Sequence, residues 1–453
     1  MDIINNKAVL LRLREPNKVT NVIPKSRELA DNKVLVNWGL EEALSLKKLN
    51  IKVPSPIEGR YQWTGRYKPF EHQKSTAAFL TMNKRSFCFN EQGTGKTASA
   101  IWASDLSVAY GSADKRKKII EEGSEYVVIN YDGVAIVADE IKKGGFDLVI
   151  VDEATHYKNA QTTRWKTLNK VVNDDTWIWM MTGTPAAQSP ADAYGLAKLI
   201  NPSKVPRFFG SFKDQVMYKV SQFTWKVRPN ATDIVFRALQ PAVRFTKEEC
   251  LDLPPMVYVK REVELTRQQK KYYKQLKDKL VMEITGAEVT AMNAAVSLNK
   301  LLQISAGAVY TDDGSTLEFD IKNRYKVLRE VIDESSQKIL IFVPFRHAID
   351  ILTKKLRADG ITTEVIQGSV SVPKRTEIFR TFQTSKDPRV LVIQPQAAAH
   401  GVTLTAANTV VWWGPTSSLE TYDQANARVH RSGQKHKCTV VQLQGSAAEK
   451  HVY

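Results

Sequence analysis

Residues 85–105 read RSFCFNEQGTGKTASAIWASD, and this stretch decides the fold. Arg85 to Phe89 is a short apolar run that predicts a strand. Asn90 to Thr97 (NEQGTGKT) predicts a glycine-rich turn, and Ala98 to Asp105 predicts a helix. A tight turn between strand and helix bares backbone N–H groups at the helix N-terminus, where a polyphosphate is held. Gln92, Gly93, Thr94 and Gly95 form the cradle, and the two glycines let the backbone come close. Lys96 adds a point charge for the outer phosphates, and Thr97 offers a hydroxyl to Mg²⁺. The full pattern opens with Gly; here Asn90 stands in that place.

Such a site needs an acidic partner at the end of a second apolar strand. Phe146 to Val151 is that strand, and Asp152-Glu153 ends it. Asp152 is expected to hold the metal, and Glu153 to polarise an attacking water. Further strand candidates alternate with helical patterns on both sides: Tyr126 to Ile129, Trp177 to Met181, Ile339 to Val343, Glu364 to Gln367, Val390 to Ile393 and Thr409 to Trp412. That alternation predicts α/β architecture with parallel sheets covered by helices. The texture divides the chain into a small N-terminal region (1–60), a first α/β lobe (61–245), a helical, basic connector (246–320) and a second α/β lobe (321–453). In the connector, Thr266 and Gln269 form a capping box. Tyr272, Leu276 and Leu280 follow at helical spacing, with Lys270, Lys271, Lys274, Lys277 and Lys279 among them. These lysines form either a solvated face or a phosphate track.

The 453 residues are 43% hydrophobic and 25% charged, which excludes wholesale disorder. The formal charge of +17 points to a polyanion, nucleic acid above all. No apolar run approaches the roughly 20 residues of a membrane helix. The opening residues lack the apolar core of a secretory leader. Cys88, Cys250 and Cys438 are too scattered for a disulfide framework or a zinc site. The expectation is a cytoplasmic protein without membrane contact.

With these residues in view, the chain resembles the Swi/Snf-type superfamily 2 DNA-dependent ATPases. Asp152-Glu-Ala-Thr-His-Tyr-Lys-Asn159 is similar to their Asp-Glu-x-His box, with Thr155 at the usual His place and His156 shifted by one. Thr182-Gly183-Thr184, after Met181 and before Pro185, is similar to the third motif, which couples ATP to movement. Gln73, after Tyr67-Lys-Pro-Phe-Glu-His, looks like the adenine-reading glutamine, and Leu253-Pro-Pro255 resembles the inter-lobe connector. In the second lobe, Gln424, Arg428 and Arg431 resemble the sixth motif. At helical spacing they would share one face, and the arginines would act as fingers on the γ-phosphoryl group. Gly401 and Thr403 look like the fifth motif, which contacts DNA and nucleotide. Gly368-Ser369 with Lys374-Arg375 resembles a DNA-facing turn. The resemblance runs over roughly residues 62 to 450. Pro415 to Glu420 is similar to the compact phage-encoded branch, which would place the protein inside a host cell. Trp412 and Trp413 either stack on a base or pack in the core.

The resemblance implies two tandem RecA-like parallel-sheet lobes joined by a helical connector. It implies a monomer that uses ATP and Mg²⁺ to move on duplex or branched DNA. A strand-separating or fork-remodelling helicase is one alternative, and a nucleic-acid binder with impaired ATPase coupling is another. One departure stands out. Only 55 positions separate Thr97 from Asp152, and no strand ending in a Val-Val-x-Pro-like turn lies between. One βα unit of the first lobe is expected to be missing, with its seam near Asp105 to Ser107. Gly445 to Tyr453 reads as the start of a terminal helix that such families continue.

Overall fold

The computed structural model describes residues 1–60, 63, 68–103, 127–186, 188–221, 224–286, 291–311, 315–399 and 402–453. The chain divides into two units, Met1–Cys250 and Leu251–Tyr453.

The first unit opens with a four-stranded antiparallel sheet: β1 (Asp2–Ile4), β2 (Ala8–Arg12), β3 (Arg27–Leu29) and β4 (Lys33–Asn37), in the order β1-β2-β4-β3. Asn5-Asn6 and Asp31-Asn32 turn two of its corners with positive φ, a conformation that Asn and Asp tolerate. Val9, Leu11, Val34 and Val36 alternate onto one face and bury Leu46 of helix Leu40–Lys48.

A parallel sheet follows, made of β5 (Arg85–Cys88), β6 (Leu148–Val151), β7 (Trp177–Met181) and the later β10 (Ala242–Val243). An antiparallel hairpin, β8 (Met217–Lys219) and β9 (Trp225–Val227), stands apart from it. The sheet order is β10-β5-β7-β6. Phe87, Ile178 and Met180 face Tyr157, Trp165 and Leu196 on one side. Cys88, Trp179 and Met181 face Leu80 and Ala100 on the other. Continuous apolar runs suit strands covered on both faces.

One expected strand is corrected. Val127 to Ile129 joins no ladder, and Asn130 behind it takes the N-cap position of helix Tyr131–Ile136 without a side-chain cap bond. A β-prone run without a neighbouring strand gains nothing from extension. The helix after the glycine-rich turn spans Lys96–Trp102. The proposed seam at Asp105 to Ser107 lies outside the described residues, as does Tyr67.

The second unit carries a six-stranded parallel sheet. Its strands are β11 (Met256–Glu262), β14 (Lys338–Phe342), β15 (Thr363–Ile366), β16 (Val390–Ile393), β17 (Ala407–Trp412) and β18 (Cys438–Gln444), in the order β11-β18-β17-β14-β16-β15. The pair β12 (Ala308–Tyr310) and β13 (Thr316–Glu318) forms a separate hairpin. The expectation of a purely helical connector missed β11, which pairs along its whole length with β18. Its alternating Val257-Tyr258-Val259 was the available signal. The capping box holds: Thr266 N–H donates to Gln269 Oε1 at 3.0 Å, before helix Arg267–Gly286. The inward face of that helix carries Tyr273 and Leu276, whereas Tyr272 is exposed and meets Phe319 edge-on. Lys270, Lys271, Lys274 and Lys277 are all exposed, and Lys270 pairs with Glu264.

Trp412 and Trp413 are core residues. Successive strand side chains point to opposite faces, so each fills a different half of the core. Trp412 Nε1 donates to Asn426 Oδ1 at 3.0 Å, and Trp413 Nε1 to the Ala306 carbonyl at 2.8 Å. Arg324, buried, donates from Nη2 to both Glu449 carboxylate oxygens at 2.7 and 2.8 Å, and its Nη1 reaches the Trp413 carbonyl. Glu449 accepts from the Gly445 and Ser446 N–H groups as well. The pair thereby ties helix Lys322–Glu334 to helix Ala447–Val452.

Candidate nucleotide site

The glycine-rich turn leaves β5 at the centre of the first unit's sheet. Gly93 and Gly95 both sit in the left-handed region, at φ 87° and 85°. At Gly95 a Cβ would also meet the Gln73 amide nitrogen, so the backbone conformation and the close approach both favour glycine. Asn90, buried, fastens the base of the turn. Its Nδ2 donates to Thr76 Oγ1 at 2.8 Å, and its Oδ1 accepts from Phe245 N–H at 3.0 Å. This is why Asn serves where the pattern expects Gly: its side chain anchors the loop. The Lys96 ammonium curls beneath the loop onto the Asn90 and Glu91 carbonyls at 3.0 and 3.4 Å.

Gln73 lies on helix Glu71–Thr81, the helix next to Lys96–Trp102. Its Nε2 donates to the Thr94 carbonyl at 3.0 Å, and its Oε1 accepts from Phe70 N–H at 2.9 Å. Buried His72 places Nε2 2.8 Å from the same Thr94 carbonyl. The Gln92 carboxamide is buried, with no hydrogen-bond partner among the described residues. A buried amide of that kind is costly unless a ligand satisfies it.

Asp152 follows β6 and meets the loop: Thr97 Oγ1 donates to Asp152 Oδ2 at 2.6 Å. Glu153 is held in the left-handed region at φ 47°, an uncommon conformation for a side-chain-bearing residue. Tyr131 explains how it is held. Its hydroxyl donates to the Asp152 carbonyl and lies 3.4 Å from that of Glu153. Burial, and then the two carboxylates, push the Tyr131 pKa well above the normal phenol value, so this hydroxyl stays protonated and remains a donor. His156 and Arg164 pack on the Tyr131 ring. Lys158 binds Gln188 and Asp192 at 2.9 and 3.3 Å.

Thr182-Gly183-Thr184 emerges from β7, beside β5. Thr182 is buried, its N–H donating to Cys88 O at 3.0 Å, and Gly183 lies against Gln92. Gln73, Gln92 to Thr97, Asp152, Glu153 and Thr182 to Thr184 thus lie around one sheet end.

In the second unit the expected single helical face is corrected. Helix Leu419–Asn426 ends before Arg428, so only Gln424 is helical, bonded to Glu420 at 3.3 Å. The chain breaks out because Gln434 draws the following turn onto the sheet, its Nε2 donating to the Val429 and Ala407 carbonyls. Gly433 makes that turn at φ 97°. What the structure does bring together is Arg431 and Thr403: Arg431 Nη1 donates to Val402 O at 3.1 Å and Thr403 Oγ1 at 3.3 Å. Burial pulls the Arg431 pKa below its usual value. Arg428, also buried, accepts Leu404 N–H on its carbonyl. Gly401 lies outside the described residues. Gly368 and Arg375 meet, the guanidinium donating to the Gln367 and Gly368 carbonyls at 3.2 Å, while exposed Lys374 pairs with Glu377.

The family model described as the SNF2-related domain matches residues 72–307, more than half of the 453-residue chain. The chain belongs to the SNF2-related family. The helicase conserved C-terminal domain matches residues 323–433. The first match takes in Gln73, the loop and Asp152-Glu153; the second takes in Arg428 and Arg431. An uncharacterized ATP-dependent helicase of Mycoplasma genitalium is 26% identical over 352 residues, covering 75% of this chain and 32% of that protein. The human DNA annealing helicase and endonuclease ZRANB3 is 26% identical over 425 residues, covering 82% and 37%. The chain therefore spans about a third of the length of these curated relatives. The solved SWI2/SNF2 ATPase core of Sulfolobus solfataricus in complex with dsDNA is 22% identical, covering 85% of this chain and 90% of that one at a TM-score of 0.39.

Three anchoring roles escaped the sequence reading. Asn90 and His72 lie inside the stretches quoted for the loop and for Gln73, but their contacts with Thr76, Phe245 and Thr94 come from folding. Tyr131 carried no signal: only folding places it under Asp152. No helix among the described residues is long and apolar enough to cross a membrane.

Proposed function

We propose that this chain is an ATP-driven motor that tracks along double-stranded DNA as a monomer. The observation that carries the proposal is the meeting of Thr97 and Asp152 at 2.6 Å beneath a loop of two left-handed glycines. A hydroxyl and a carboxylate so close form a hard oxygen pair suited to Mg²⁺, which when bound would neutralise phosphate charge. The loop N–H groups and Lys96 hold the phosphates, and the unsatisfied Gln92 amide supplies further polar contact. Glu153 orients and deprotonates the attacking water. Gln73 reads the base. Arg428 and Arg431 of the second unit supply positive charge to the transferred phosphoryl group, and Gln424 adds a neutral amide contact to the nucleotide. Thr182, Gly183, Thr184, Gly368, Lys374, Arg375, Gly401 and Thr403 carry the coupling and DNA contacts.

The four-part division at 60, 245 and 320 and the loss of one βα unit near Asp105 to Ser107 belong to this reading. So does membership of the compact phage-encoded branch, supported by Pro415 to Glu420, and with it a cytoplasmic location in a host cell. The test is ATP turnover by the full chain with duplex DNA, single-stranded DNA, forked DNA and RNA over a range of salt. Duplex DNA is expected to stimulate most. Glu153→Gln is expected to lower turnover by about 10²-fold or more while ATP still binds. Retained turnover in that variant removes Glu153 from its role.

A further inference from the structure

The hairpin of β8 and β9, with its two flanking helices, plays no part in the nucleotide site, yet its surface is chemically distinctive. Residues 203–237 carry seven cations (Lys204, Arg207, Lys213, Lys219, Lys226, Arg228 and Arg237) against two acids, Asp214 and Asp233. None of the seven forms an ion pair among the described residues. Large apolar side chains lie open in the same segment. Phe208 is 66% exposed, Phe236 65% and Tyr218 40%.

The hairpin register arranges part of this surface. Tyr218 lies directly opposite Lys226, so the two side chains share a face. Arg228, just past the end of β9 and two residues beyond Lys226, returns to this face, its guanidinium carbon 5.8 Å from the Tyr218 ring centre. Arg228 Nε donates to the Asp214 and Met217 carbonyls at 2.8 and 3.3 Å, which fixes the guanidinium. On the opposite face Lys213 sits over the Trp225 ring at 3.7 Å. An open aromatic ring flanked by cations, here Lys226 and a fixed Arg228, is the pattern that holds an unpaired nucleic-acid strand: bases stack on the ring and phosphates meet the cations. A closed duplex would use the cations but leave the ring without a base face.

We infer that the Tyr218–Lys226–Arg228 face is a second nucleic-acid contact that takes an unpaired stretch of strand, separate from the duplex track. The inference rests on the motor reading above and extends it, because a motor with such a face engages junctions where strands part. Charge complementarity selects nucleic acid as the occupant; a second copy of this basic surface would repel itself.

The test measures binding of a labelled oligothymidine of about 15 nucleotides to the full chain without ATP, by fluorescence anisotropy over a salt series. Duplex-stimulated ATPase is read on the same preparations. Tyr218→Ala is expected to weaken oligothymidine binding about fivefold or more, and Tyr218→Phe to keep it within about twofold. Lys226→Ala is expected to shallow the salt dependence by about 0.7 in log–log slope. Duplex stimulation should be equal in all of them. The inference is overturned if both alanine variants bind like the unsubstituted chain. It is equally overturned if Tyr218→Ala loses oligothymidine binding and duplex stimulation together, or if this variant only dissociates a dimer of the chain. Absence of ATP turnover in the unsubstituted chain defeats the motor reading alone, since oligothymidine binding is read without it.

Discussion

The two parallel sheets are held together by different means. In the second unit six strands form a deep apolar slab, and Trp412, Trp413, Phe342 and Phe382 are completely shielded within it. Buried side-chain hydrogen bonds and one buried ion pair, Arg324 with Glu449, add polar reinforcement. The parallel sheet of the first unit has four described strands, and parts around it meet through backbone. Gly195 N–H donates to the Lys158 carbonyl at 3.2 Å, and Trp165 Nε1 to the Gly195 carbonyl at 2.8 Å. The glycine-rich loop is held by a few side-chain hydrogen bonds, from Asn90, Gln73, His72 and Lys96. The difference teaches where each unit tolerates change: the slab resists loss of volume anywhere, whereas the loop-bearing unit depends on a few atoms at close range.

Removing the buried pair gives the sharpest break in this comparison. Arg324→Ala should cost about 3–5 kcal/mol, because Glu449 is left charged and buried. Hydrogen exchange read region by region should show the loss across residues 322–453, with β5 and β7 protected as before. A uniform loss over both units would mean that they unfold as one body, and the contrast would fall.

Gly195→Ala comes next. A Cβ there would overlap the Tyr157 and Lys158 carbonyls, which are backbone and cannot yield as a side-chain tip can. The expected cost is about 1–3 kcal/mol, as for overpacking, seen as a lower urea midpoint for the first unit alone. Full stability in that variant would show that the contact adjusts, and the first unit would then resemble the second.

Tyr131→Phe is the mildest. It removes one buried hydroxyl, for about 0.5–1.5 kcal/mol of stability. Its larger trace should be in ATP turnover, since the Glu153 backbone loses the group that pins it. A variant with reduced stability and unchanged turnover would make Tyr131 a packing residue only.

Much of this was legible in the sequence. Arg85 to Phe89, Trp177 to Met181 and Val390 to Ile393 read as strands because continuous apolar runs between turn signals permit little else. Asp152 read as a partner of Thr97 because the chemistry demands an acid there. What stayed hidden came from long-range packing. β11 is only seven residues long and becomes a strand by pairing with β18, some 180 positions away. Arg428 and Arg431 have helical spacing, but Gln434 offers the backbone better hydrogen bonds outside a helix. Tyr131 reaches Asp152 across 21 positions with no pattern to announce it.

The Thr94 carbonyl, gripped by both His72 and Gln73, has a consequence for how such a site can vary. Gln73 fills the space in which residue 95 would carry a side chain. The part proposed to read the base and the part proposed to hold the phosphates are therefore interlocked like two teeth of one gear. Base preference cannot be retuned at position 73 alone. A larger side chain there would press on the glycine-rich loop, and a smaller one would release the Thr94 carbonyl. A selection for altered nucleotide preference should return changes at 72, 73 and 94 as linked sets, with position 95 fixed as glycine.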